Sequence, residues 1–287
     1  MNRFATLAIA ASALFSANIG AFAFGVEDVP TNDLPKEFEG LTDAQQTEGI
    51  EFVFGNAIFV MFHEAGHMLI SELGLPVLGK EEDAVDSLSS IMLLEGHDDT
   101  LDKALSDSAD GWFLSDAVAQ EAGADYAFWD EHSLDQQRAY SMVCMMVGQD
   151  PVRFKEFADY AELPESRREG CAWDYENAKK SWTTLLEPSV ITDGSKTEFT
   201  VIYDDVPSGP LAPYAAIIKE SDLLSVLVAA LSTTYKLEPG IVFHGKVCGE
   251  PNAYWNAGDR ELTFCYELAQ FHASLLAKHF ANEAAAQ

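Results

Sequence analysis

Residues 43–73 read DAQQTEGIEFVFGNAIFVMFHEAGHMLISEL, and the organisation of the chain is read from them. Thr42 with Gln45, or Asp43 with Gln46, has the spacing of a capping box, in which a side chain and a backbone N–H satisfy each other at a helix start. Gly74 supplies a left-handed stop and Pro76 follows it. Between these signals the apolar residues fall on most faces: Phe52, Phe54, Ile58, Phe59, Met61, Phe62, Leu69, Ile70. The spacing therefore predicts one long helix buried on most sides, not an amphipathic helix lying on a surface.

That helix carries His63-Glu64-Ala65-Gly66-His67. Residues four apart share a helix face, so His63 and His67 can reach one metal ion, and Glu64 beside them is placed as general base. Two imidazoles and a carboxylate on an apolar helix are expensive to bury without a metal to satisfy them. The alternative, two surface histidines, fits poorly with Phe59, Val60, Met61 and Phe62 immediately before them. A tetrahedral catalytic zinc needs a third protein ligand. After a tight turn at 75–80, a second helix is expected from about residue 81 to 94. Its start, Glu81-Glu82-Asp83-Ala84-Val85-Asp86, puts Glu82 and Asp86 on one face. Glu82 is the expected ligand, and Asp86 the carboxylate that accepts the free N–H of His63. Glu81, Asp83 and Asp86 are substitutes for Glu82, and helix-start acids that serve only the helix dipole are the alternative to all of them. No H-x-x-G-x-x-H follows to supply a third histidine.

Further along, helical stretches are expected near 99–127, 133–147, 152–160 and 172–186, broken at Gly148, Pro151, Pro164 and Pro188. Beyond Pro188 the pattern changes: 198–203, 241–247 and 261–266 read as strands, with helices at 213–236 and 266–284. The fold class is α+β, helix-rich, with a small sheet drawn from C-terminal strands. For the oxyanion of a tetrahedral intermediate, His132 and Arg138 in DEHSLDQQR are the candidate donors, with Tyr140 behind them. His97, His244, His272 and His279 lack metal spacing.

HEAGH followed by E-x-x-x-D resembles the gluzincin class of zinc peptidases. More closely, HEAGHMLISELGLPVLGKEEDAVD, WDEHSLDQQRAYSMVCMMVGQDP and the later CGEPNAYWNAGDRELTFCYEL are similar to a family of exported bacterial metallopeptidases. The resemblance implies a zincin-like fold, His63, His67 and Glu82 as ligands of one zinc per chain, and Glu64 as base. It also implies a sheet whose edge strand lies beside the motif helix to receive an extended peptide. Since no strand precedes the motif, that sheet must come from the C-terminal segments folding back. Residues 24–287 are then one catalytic domain, with a helical part at 41–188 and a strand-containing part at 196–287.

The N-terminus has the form of a secretory signal: Arg3, an apolar run from Phe4 to Phe15, then Ala21-Phe22-Ala23 as a cleavage site, which assigns 1–23 to the signal. Cleavage there leaves 16 Lys and Arg against 47 Asp and Glu, a net charge of −31. Such a surface repels nucleic acid and anionic lipid, and no other apolar run is long enough to span a bilayer. Four cysteines without a C-x-x-C pair suit disulfides in an exported, periplasmic or secreted protein. The pairing that needs no contact between distant parts of the chain is Cys144–Cys171 and Cys248–Cys265. The sequence thus points to a zinc-dependent hydrolase acting on peptides or proteins. The competing reading is an inactive, zinc-holding relative that binds peptides or scaffolds an envelope complex.

Overall fold

The computed structural model describes residues 34–286; the expected signal segment lies outside the described residues. Six helices come first: α1 (Asp43–Leu73), α2 (Glu81–Leu94), α3 (Asp99–Glu121), α4 (Asp135–Gln149), α5 (Lys155–Tyr160) and α6 (Glu165–Leu186). Then follow β1 (Phe199–Tyr203), α7 (Ala212–Glu220), α8 (Leu223–Thr234), β2 (Ile241–Lys246), β3 (Ala253–Asn256), β4 (Glu261–Cys265) and α9 (Tyr266–Ala286). The architecture is α+β, with a four-stranded mixed sheet formed by the C-terminal strands.

The boundaries of α1 follow from its caps. Thr42 Oγ1 accepts from the Gln45 N–H at 3.4 Å while the Thr42 N–H donates to Gln45 Oε1 at 3.1 Å. Gly74 closes the helix at φ +60°, a left-handed conformation that an unbranched Cα adopts freely. Nineteen of its 31 residues are buried, including Phe52, Phe59, Met61 and Met68. Length and apolarity would let this helix cross a membrane, but its apolar stretch is covered by the protein's own helices and sheet.

The sheet order is β1-β2-β4-β3, with β1, β2 and β4 parallel and β3 antiparallel at the edge. Parallel neighbours need a crossover, and α7 with α8 supplies the one between β1 and β2. β3, beside β4, packs against α1. Arg260, between β3 and β4, clamps Glu72 near the end of α1 with two hydrogen bonds of 2.8 and 2.7 Å. One apolar cluster runs from Phe59 and Met68 of α1 through Leu88 and Val143 to Phe243, Leu262 and Phe264 of the sheet. Burying that cluster holds the strands against the helices.

Four elements differ from the sequence expectation. β3 escapes notice because four residues between Pro251 and Gly258 are too few to display an alternating pattern. The expected helix at 213–236 is two helices, because Asp222 turns the chain at φ +52° with no glycine or proline to mark the break. α3 stops at Glu121 and α6 begins at Glu165. Cys144 is bonded to Cys171 and Cys248 to Cys265, the expected pairing.

Two tests follow. The disulfides close loops of 27 and 17 residues, and by loop entropy each contributes about 3 kcal/mol. Cys144→Ser and Cys248→Ser should therefore each lower the unfolding midpoint, full reduction should lower it further than either, and non-reducing peptide mapping of the unsubstituted chain should find these two pairs. The second test concerns acid. His272 is wholly buried on α9 with its ring edge toward Phe52 of α1, and burial lowers its pKa to about 3. The folded state keeps it neutral while the unfolded state takes up a proton below about pH 6.5, so stability falls as pH drops from there toward 3. Replacing it as His272→Leu should remove that part of the acid sensitivity and leave a pH-independent difference above pH 7; parallel stability–pH curves would contradict this.

Candidate metal centre

The sixth and seventh turns of α1 bring His63 and His67 to the face that meets the start of α2. Gly66, inside the motif, is what allows this approach: a Cβ there would lie 2.8 Å from Val85 Cγ1. With no side chain in the way, α2 sits close enough for Glu82 to reach both rings. Glu82 Oε2 is 3.1 Å from His63 Nε2, Glu82 Oε1 is 3.4 Å from His67 Nε2, and the two Nε2 atoms are 3.2 Å apart. Among the described residues these three form the His/Cys/Asp/Glu group that could hold a metal ion, their ligand atoms all within 4.8 Å.

The outer ring nitrogens decide what the inner ones can do. His63 Nδ1 lies 2.7 Å from Asp86 Oδ1, and His67 Nδ1 lies 2.8 Å from Glu81 Oε1. A carboxylate accepts, so each Nδ1 carries the hydrogen and each neutral ring presents a lone pair at Nε2. Two lone pairs and the Glu82 carboxylate then face one another at hydrogen-bond distance with no donor between them. Such an arrangement requires a cation at its centre, either a proton or a metal. The local field agrees. Burial opposes charge on both rings, but hydrogen bonds to the surrounding carboxylates win, raising His63 and carrying His67 to about 9. Burial would also raise Glu82, yet His132, His63 and His67 hold it well below the usual carboxylate range.

Asp86 is itself anchored. Arg138 of α4 grips it with Nε to Oδ2 at 2.7 Å and Nη2 to Oδ1 at 2.8 Å. The guanidinium lies 3.8 Å over the ring of Trp112 on α3. Burial would push the Asp86 carboxyl up, but Arg138 and His63 bring it down to about 2, so it remains an acceptor. The chain Trp112–Arg138–Asp86–His63 fixes one imidazole from three helices. Arg138, a candidate donor to substrate from sequence, thus has its Nε and Nη2 turned to Asp86. Tyr140 packs edge-on against Phe113, 5.0 Å between ring centres, and takes no part in this group.

Glu64 is buried and faces the sheet. Its Oε2 accepts the backbone N–H of Trp255 on β3 at 2.9 Å, and its Oε1 is 4.0 Å from His63 Nε2. Burial raises its pKa. His132 stands half-exposed with Nε2 3.1 Å from Glu82 Oε2 and Nδ1 3.1 Å from Asp130 Oδ1. The structure therefore gathers His63, Glu64, His67, Glu82, Asp86 and His132, all six named from sequence. It adds Glu81 as the partner of His67, Arg138 as the anchor of Asp86, and the Trp255 N–H. From sequence Glu81 was named only as a substitute for Glu82 as ligand; the structure turns it to the outer nitrogen of His67. The Trp255 contact spans 191 residues, and no local signal announces it.

The sequence matches the family described as "Putative metallopeptidase" over residues 10–186 and 203–287, and the chain belongs to that family. No curated protein and no solved structure matches it.

If Glu81 and Asp86 orient the two rings, Glu81→Gln and Asp86→Asn should each weaken divalent-metal affinity about 10- to 100-fold. Glu82→Ala should weaken it further. Competition against a chromophoric chelator measures this, and unchanged affinity in Glu82→Ala would reassign the third ligand.

Proposed function

We propose that this chain is a zinc-dependent peptidase, with zinc held by His63, His67 and Glu82 and with Glu64 as general base. The observation that carries the reading is the convergence of His63 Nε2, His67 Nε2 and the two oxygens of the Glu82 carboxylate at 3.1, 3.2 and 3.4 Å, with the outer ring nitrogens committed to Asp86 and Glu81. Ligands at roughly 2.0–2.2 Å around a tetrahedral ion stand about 3.3 Å apart, which these separations match. Two imidazoles with one carboxylate favour zinc over calcium or magnesium, which prefer all-oxygen shells. When bound there, zinc supplies Lewis acidity, polarising a peptide carbonyl and making water acidic enough to deprotonate near neutral pH.

Glu64 takes the proton from the attacking water and returns it to the departing amine. Its burial favours the protonated form, and the Trp255 N–H steadies the carboxylate, so it can cycle between the two. His132, tethered by Asp130 beside Glu82, is the residue we assign to donating a hydrogen bond to the developing oxyanion. β3 is an edge strand lying against α1, and its free side, where the Trp255 N–H already donates to Glu64, is where we place an extended peptide. On this reading the C-terminal strands complete the cleft of one catalytic domain, and the two disulfides suit an exported protein.

The competing reading, a zinc-holding relative without turnover, shares the ligands but has no use for a buried base. Glu64→Gln decides between them: zinc content should stay at one per chain while hydrolysis of a mixed peptide library falls at least 1,000-fold, a loss of about 4 kcal/mol in transition-state stabilisation. Equal turnover by wild type and variant, or none by either, would sink the peptidase mechanism.

A further inference from the structure

Two connections meet beside the ligand Glu82. The turn at 75–80 and the loop at 122–134 are pinned together by Lys80, whose Nζ donates to the carbonyls of Asp130 at 3.1 Å and His132 at 2.9 Å. From that pinned loop, His132 reaches Glu82. The same two connections hold four large apolar side chains out in solvent: Leu78 fully exposed, Trp129 at 87%, Phe128 at 77% and Tyr126 at 47%. The Tyr126 and Phe128 rings lie 5.8 Å apart. The other six large apolar side chains exposed among the described residues are spread singly between positions 152 and 271. Single exposed apolar residues are ordinary, whereas a group of them within a few residues of a reactive centre marks a contact surface.

Charge selects the occupant. Asp125, Asp130 and Glu131 lie on the loop, with Glu81 and Asp83 on the facing helix start. Lys80 has its ammonium on two carbonyls and Arg138 its guanidinium on Asp86, so neither is left to neutralise the rim. The protein as a whole carries −30. An anionic membrane is repelled by such a surface, whereas a basic polypeptide is steered toward it. Behind the loop opens a cavity of about 420 Å³, bordered by Trp112, Tyr126, Asp130 and His132, with room for substrate side chains.

We propose that the 75–80 turn and the 122–134 loop form a landing surface for polypeptides that combine aromatic or aliphatic side chains with net positive charge, delivering them to the metal centre. This names the substrate class and rests on the peptidase reading. Capture is by burial of Phe128 and Trp129 against the apolar residues of the substrate, and the acidic rim sets which sequences arrive.

The test uses the mature full-length chain carrying Glu64→Gln, so that binding is read without cleavage. Fluorescence anisotropy follows three labelled 20-residue peptides: cationic and apolar, anionic and apolar, and cationic without large apolar residues. The first should bind at least tenfold tighter than either of the others. Adding Phe128→Ser with Trp129→Ser should weaken it on the order of 30-fold, while Trp173→Ser, an exposed tryptophan on α6, should leave it unchanged. Equal binding with and without the loop substitutions overturns the proposal. So does loop-dependent binding to phosphatidylcholine vesicles without peptide preference, which would make the patch a membrane contact. Wild-type cleavage separates the two readings: loop-dependent binding without any cleavage keeps the landing surface and removes the peptidase, and cleavage indifferent to the loop does the reverse.

Discussion

Two imidazole nitrogens facing each other at 3.2 Å, each with its other nitrogen committed to a carboxylate, are the constraint around which this molecule is arranged. Left alone, the pair and the Glu82 carboxylate hold a proton between them, because acceptor groups crowded into one small, partly buried space are costly to leave unsatisfied. The protein accepts this because the surrounding packing does not let the groups move apart. α1 is held by apolar contacts on nearly all sides, α2 is seated against Gly66, and Arg138 fixes Asp86 from α4 while resting on Trp112 of α3. The same rigidity that keeps these groups together preorganises them for a cation.

Secondary and tertiary structure divide the work between them. The helices supply the candidate metal donors and their outer partners, because helical spacing of four residues sets His63 above His67 and Glu82 beside Asp86. The sheet supplies what helices cannot, an edge strand with a backbone N–H directed at Glu64. The Trp255 N–H to Glu64 and the Arg260 clamp on Glu72 tie that edge to both the middle and the end of α1. A strand carried at the far end of the chain thus stands next to a motif about 190 residues earlier, through packing and not through connectivity.

How much of this was legible depended on the range of the interaction. The capping box at Thr42 and Gln45, the stop at Gly74, the His63–His67 pair with Glu64, and the Glu82–Asp86 pair are each expressed within about one helical turn, and local spacing reads each of them directly. The pairing of Cys144 with Cys171 and Cys248 with Cys265 followed from nearness in sequence. Arg138 was a candidate oxyanion donor from sequence, but its partner lies 52 residues away on another helix, so sequence could not choose between substrate and Asp86. β3 was missed because its four residues are a strand only by virtue of pairing with β4. Asp222 ended α7 in a left-handed conformation that its residue type permits but does not announce.

The measurement that bears most directly on the central claim is anomalous diffraction from crystals grown with zinc, recorded on both sides of the zinc absorption edge. The account predicts one strong peak per chain, roughly 2.0–2.2 Å from His63 Nε2, His67 Nε2 and a Glu82 oxygen, with Asp86 and Glu81 still on the outer nitrogens. A peak coordinated by Glu81 in place of Glu82, or no peak between the two histidines at full zinc loading, would contradict it.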